Sequence, residues 1–213
     1  MVVKVYGMGM STCTRLVLMT CYELGVEYEL HHVDLIKGEQ KSPEYIENMQ
    51  PFGIIPVLID EDGTRIYESR AISRYLTVKY RKDAGLIPPF SDPKAYGLFE
   101  QAASIEYSTF NPAAGAIYLE NLHAELEGRE PDAEVLEKKR QTLLSKLEAY
   151  ERILSKQKYL AGDGLTLADL FHVPYGKAVE RYVPGVFDSQ PNVKRWWADI
   201  TARESWKAVS DLK

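Results

Sequence analysis

The chain has 213 residues, of which 45% are hydrophobic and 27% charged, enough for one or two domains with a buried core. A net charge of −5 with no basic block excludes nucleic acid as the main partner, and no stretch reaches the ~18 apolar residues of a membrane-spanning helix. Cys13 and Cys21 fall in one predicted helix about 12 Å apart along its axis, too far for a disulfide; reduced thiols and a first residue that leads straight into a strand point to the cytosol.

In chain order, residues 2–6 read as a strand, 13–24 as a helix and 28–34 as a second strand, where Tyr28, Leu30, His32 and Asp34 alternate with Glu29, His31 and Val33. The stretch 36–52, punctuated by Gly38, Pro43 and Pro51, reads as loop with one short helical turn. Two short strands, 57–59 and 65–67, flank Asp60, Glu61, Asp62 and Gly63, a good hairpin turn. Residues 69–81 are then helical. The order β-α-β-α-β-β-α predicts a small mixed sheet covered by helices.

Residues 84–93, with Pro88, Pro89 and Pro93, read as a linker. Beyond it strand signals vanish. Leu136, Leu143, Leu147, Tyr150 and Leu154 recur at spacings of 7, 4, 3 and 4, an amphipathic helix; 94–120 and 167–182 read likewise. The expectation is an α/β domain over 1–83 and an all-α domain over 94–213.

Three runs carry the chemistry. Met10, Ser11, Thr12, Cys13, Thr14 and Arg15 follow the first strand and open a helix, where free backbone N–H groups and the helix dipole favour an anion. Pro51, Phe52, Gly53, Ile54, Ile55 and Pro56 lead into the third strand. Tyr67, Glu68, Ser69 and Arg70 set an acid and a hydroxyl at the next helix start. Three such elements suit one small zwitterionic ligand. His31, His32, His123 and His172 show no metal-ligand spacing, so no metal site is expected. Thr166 and Asp169 read as a structural capping box with a short acid.

These runs, together with Tyr6-Gly7, Gly38-Glu39, Lys41 to Glu44, and the Tyr159 to Asp163 and Thr166 to Leu170 stretches, resemble the cytosolic glutathione transferases, most closely the phi class, over essentially the whole chain. The resemblance implies a thioredoxin-like N-terminal domain, an all-helical C-terminal domain with the second-substrate site, and a homodimer. It implies glutathione as co-substrate with no further cofactor. It also implies transfer of the glutathione thiolate to hydrophobic electrophiles or, with the same thiolate, reduction of organic hydroperoxides. A non-catalytic carrier of aromatic ligands and a thiol-transferase using Cys13 are the alternatives.

A free thiol with a pKa of ~8.5 is only a few per cent thiolate at neutral pH. Ser11, Tyr6, Thr12 and Cys13 are the groups placed to change that, and Ser11 holds the phi-class position. By the same resemblance, Ile55 and Pro56 form a cis-proline step that pairs with the cysteinyl unit. Glu68 and Ser69 meet the γ-glutamyl end, and Lys41 meets the glycine carboxylate. Two residues depart from the family pattern: Gln40 stands where a histidine is usual and Ile54 where a glutamine is usual. Met10, Thr12, Phe110 and Tyr118, with Met8 and Ile117, are the candidates for an apolar acceptor pocket.

Overall fold

Val3 and Val5 are fully buried while Val2 and Lys4 face solvent, the period-two mark of a half-buried strand. This strand is β1 (Val2–Gly7) in a computed structural model that describes residues 2–213. It pairs in parallel with β2 (Glu27–His32) and antiparallel with β3 (Val57–Ile59). β4 (Arg65–Tyr67) pairs antiparallel with β3, giving the order β2-β1-β3-β4.

A parallel pair needs a long crossover, and α1 (Thr12–Leu24) supplies it between β1 and β2. A six-residue α2 (Pro43–Asn48) follows, then α3 (Ser69–Tyr80) after β4. The predicted β-α-β-α-β-β-α order is therefore the observed one. Tyr45 of α2 packs with Val33 and Val57, against Tyr6, Met49 and Ile55, so α2 covers one face of the sheet. Fully buried Val3, Val5 and Leu58 line the other, where α1 and α3 meet through the 2.9 Å hydrogen bond from Thr20 Oγ1 to Ser73 Oγ.

The second strand departs from its predicted alternation. It ends at His32, which is exposed, while Val33 is buried. His31 stacks on Tyr6 across the sheet, ring centroids 4.6 Å apart. Val33 follows on that same face and enters the cluster under α2.

Two units make up the chain, residues 1–87 with Arg203–Lys213, and Pro88–Ala202. This division differs from the expected all-α domain over 94–213. Instead the final eleven residues, which contain α10 (Glu204–Ser210), belong to the sheet-containing unit, where Glu23 of α1 holds Arg203 and Ser205.

The second unit is all-helical: α4 (Pro93–Ile105), α5 (Asn111–Glu127), α6 (Ala133–Leu154), α7 (Leu167–Leu170), α8 (Val173–Tyr182) and α9 (Pro191–Thr201). Of the three helices predicted here, the one carrying Leu136 to Leu154 is continuous as α6, while 94–120 and 167–182 are interrupted, each beside a proline. Between α4 and α5 the turn Glu106–Phe110 is π-helical, with Asn111 N–H bonded to Glu106 O; Pro112 lacks the N–H that Ser108 O would otherwise accept. Pro174 does the same to Leu170, separating α7 from α8. Asp169 anchors this unit. Its fully buried carboxylate accepts from Leu160 N–H, Thr166 N–H, the Thr166 hydroxyl and Trp196 Nε1–H at 2.9 to 3.1 Å.

Candidate functional site

One row of paired residues crosses the sheet: His31 opposite Tyr6, Tyr6 opposite Val57, Val57 opposite Tyr67. Because β1, β2 and β4 all run the same way and β3 runs against them, four chain segments meet at this edge. Ser11 follows β1, the segment carrying Gln40 and Lys41 follows β2, Ile55–Pro56 precedes β3, and Glu68–Ser69 follows β4. The topology thus gathers the candidates for the glutathione subsite on one side of one unit, at the carboxyl ends of the parallel strands, where open sheets bind ligands.

Ser11 is the N-cap of α1. Its backbone is extended (φ −67°, ψ 128°), and its Oγ accepts Thr14 N–H at 3.3 Å, a long bond. The half-buried side chain therefore presents its hydroxyl proton at a terminus rich in free N–H groups. Thr12 beside it is buried, Cys13 is a half-buried free thiol, and Met10 is exposed. Tyr6, the competing hydroxyl, lies in the cluster under α2 with Val33, Tyr45 and Val57. Cys21 is buried, and desolvation pushes its thiol up to about 12, which makes it inert.

The Ile55–Pro56 peptide bond is cis, as the resemblance implied. The loop ahead of it is organised by a residue the sequence did not single out. Gln50 is fully buried, and its Oε1 accepts Phe52 N–H at 2.6 Å and Ile54 N–H at 3.4 Å. Tyr45 donates its hydroxyl to Ile54 O at 3.2 Å. Gly53, at φ 61°, is the close approach in this loop: a Cβ there would stand 2.7 Å from Gln40 O. Lys41 donates to Phe52 O at 3.2 Å. The turn bearing Gln40 and Lys41 is in this way fastened to the loop bearing Ile54 and Ile55.

Glu68 is the one non-glycine residue with positive φ among the described residues, at φ 72°, ψ 107°. Such a conformation costs on the order of 1–3 kcal/mol and clusters at functional sites. It turns the exposed Glu68 carboxylate outward at the start of α3. Ser69 follows, buried, its carbonyl accepting the Ser73 hydroxyl at 2.9 Å.

The four acceptor-pocket candidates are divided between the two units. Met10 and Thr12 adjoin Ser11 in the first unit. In the second, Tyr118 is half-buried with its ring edge-on to Tyr175, centroids 6.1 Å apart. Phe110 is fully buried, its ring 4.6 Å from His172 and 6.2 Å from Tyr150. It is a core residue and not a pocket wall, and Ile117 is likewise fully buried. His172 serves that core: Nδ1 bonds Ala168 O at 2.8 Å and Nε2 meets the Tyr150 hydroxyl at 2.9 Å. Since a carbonyl only accepts, Nδ1 carries a proton, and in the neutral ring Nε2 accepts from the Tyr150 hydroxyl. Among the described residues no group of three or more His, Cys, Asp or Glu side chains could hold a metal ion, and no helix is long and apolar enough to cross a membrane.

Family models for the glutathione S-transferase N-terminal and C-terminal domains match residues 1–77 and 89–204. The chain is 58% identical over 196 residues to glutathione S-transferase PM239X14 of Arabidopsis thaliana, covering 92% of this chain and 90% of that one. Among solved structures it is similar to glutathione transferase F7 of Populus trichocarpa (TM-score 0.91, 36% identity, 98% of each chain). It is also similar to a maize glutathione S-transferase I in complex with an atrazine glutathione conjugate (TM-score 0.88, 32% identity, 98% of this chain and 96% of that one). With both domain models matched in order along the chain and plant enzymes aligned over nearly all of it, the protein belongs to the glutathione S-transferase family.

Proposed function

We propose that this transferase conjugates glutathione to hydrophobic electrophiles, with Ser11 as the hydroxyl that holds the thiol as its thiolate. The observation that carries the reading is the row from His31 to Tyr67, which brings Ser11, Ile55 and Ser69 to one sheet edge. Lowering a thiol pKa by about two units takes roughly 2.7 kcal/mol. A hydroxyl hydrogen bond to an anion supplies ~1.5–3 kcal/mol, and a helix N-terminus adds ~0.3–1 kcal/mol. Ser11 on α1 accounts for both contributions, so no general base is needed. Tyr6 is the weaker candidate because it packs on the α2 face with Val33 and Tyr45.

In this reading the Ile55 backbone pairs with the cysteinyl unit, and Glu68 and Ser69 take the γ-glutamyl ammonium and carboxylate. Lys41 faces the glycine carboxylate. Neutral Gln40 and apolar Ile54 add no charge at that end. Met10 and Thr12, beside Ser11, serve the acceptor. The maize relative in complex with an atrazine glutathione conjugate supports an apolar electrophile as that acceptor.

The working form is a homodimer in the cytosol. Phe52 supports the first part, since it leaves an aromatic ring 69% exposed in a loop otherwise pinned by Gln50. Two unpaired cysteines on one helix support the second.

The test is Ser11→Ala beside Tyr6→Phe, assayed with glutathione and a dinitro-aryl chloride between pH 6 and 9. Ser11→Ala is expected to lose on the order of tenfold to a hundredfold in turnover near neutral pH, the equivalent of one hydrogen bond to an anion. Its glutathione binding should change less. Loss on Tyr6→Phe alone transfers the role to Tyr6.

A further inference from the structure

Residues 203–213 run antiparallel to α1 and are tied to it at both ends. At one end Glu23 takes Arg203 and Ser205. At the other, Arg15 in the opening turns of α1 donates Nε to Gly9 O and Nη2 to Leu212 O, each at 2.8 Å. The final residues also rest directly on Gly9. A Cβ there would stand 2.4 Å from Lys213 O and 3.0 Å from Leu212 Cβ, so only glycine lets the two backbones meet. The gripped residues 8–10 are those that deliver Ser11, whose N–H bonds Met8 O at 2.9 Å.

We infer that Arg15 is a positioning residue for the reaction: one guanidinium, forked between Gly9 O and Leu212 O, fixes where the Ser11 hydroxyl stands at the head of α1. A hydrogen bond to a developing anion weakens steeply with distance and angle, and a misplacement of about 1 Å can cost a hundredfold in rate. The stretch between β1 and α1 follows Gly7, the last residue of the strand, and contains Gly9, so it has little stiffness of its own. Arg15 supplies the stiffness by locking it to a separate segment 197 positions away. Lysine cannot take over fully, because a single ammonium lacks the planar fork that satisfies two diverging carbonyls. The segment 211–213 thereby becomes part of the scaffold of the site.

The inference rests on Ser11 as the thiolate-stabilising hydroxyl, so Ser11→Ala is carried as a reference. Arg15→Gln, Arg15→Lys and Gly9→Ala are compared with wild type in the full chain by three readouts. These are the pH profile of kcat/KM with glutathione and a dinitro-aryl chloride, the ultraviolet absorbance of bound thiolate, and the urea midpoint. Arg15→Gln is expected to raise the apparent pKa of the bound thiol by about half to one unit, lowering kcat/KM at pH 6.5 by roughly threefold to tenfold while the curves converge near pH 9. The KM for glutathione should stay within about twofold, because ground-state contacts are untouched. Arg15→Lys should recover part of the shift, and Gly9→Ala should reproduce it by pushing residues 212–213 away. If Ser11→Ala moves the profile and neither Arg15→Gln nor Gly9→Ala does, Arg15 has no positioning role. A loss equal at every pH that tracks the urea midpoint also overturns it. If Ser11→Ala itself leaves the profile unmoved, the assignment of Ser11 falls first, and the inference with it.

Discussion

Glu23 accepts both Nε and Nη2 of Arg203, each at 2.6 Å, across 180 positions of sequence. Burial raises the Glu23 carboxyl, but the hydrogen bonds from Arg203 and Ser205 and the Arg203 charge outweigh it and hold the group below its ordinary value. A carboxyl whose folded pKa is depressed contributes stability in full above its unfolded pKa of ~4.3 and loses it as pH falls through the folded value. Glu23→Gln should therefore cost about 1–3 kcal/mol at pH 7, with the gap to wild type closing below pH 4. Urea titrations of both proteins at several pH values check this; a gap that persists undiminished at pH 3 contradicts the linkage.

Phe110 tests the difference between a core ring and a pocket wall. Packed against His172, Tyr150 and Phe187, it should lose roughly 3–5 kcal/mol of stability as Phe110→Ala. The KM for an apolar acceptor should move less than threefold in the fraction that stays folded. Met10→Ala is the converse: 54% exposed beside Ser11, it should leave stability within about 0.5 kcal/mol and change acceptor KM. Unfolding curves and acceptor titrations on the two variants decide it, and a large KM effect from Phe110→Ala at wild-type stability would return that ring to the pocket.

Phe52 tests the oligomer. Wild type should sediment near twice the mass of one 24.2 kDa chain. Phe52→Ala should shift toward the single-chain mass at micromolar concentration, because aromatic anchors dominate interface energies. The variant should keep its fold, since Gln50 contacts the Phe52 backbone through its N–H and not the ring. Wild type sedimenting as a single chain would remove the dimer altogether.

Local pattern carried much of this protein. Val3 and Val5 against exposed Val2 and Lys4 announce β1, and a hydroxyl residue before an apolar helical run announces Ser11 as a cap, because both signals are written within a few neighbouring residues. The capping role of Asp169 was legible from Thr166 in the same way. Even α9 is spelled out by Val193, Trp196, Trp197 and Ile200 at helical spacing, all buried. What a periodic pattern specifies is which face of an element is apolar, and it is silent on which surface that face meets. So the return of residues 203–213 to the sheet unit, the grip of Arg15 on Leu212, and the burial of Phe110 were decided only in three dimensions. Each depends on groups tens to nearly two hundred positions apart, brought together by the topology of the sheet and the crossing of helices.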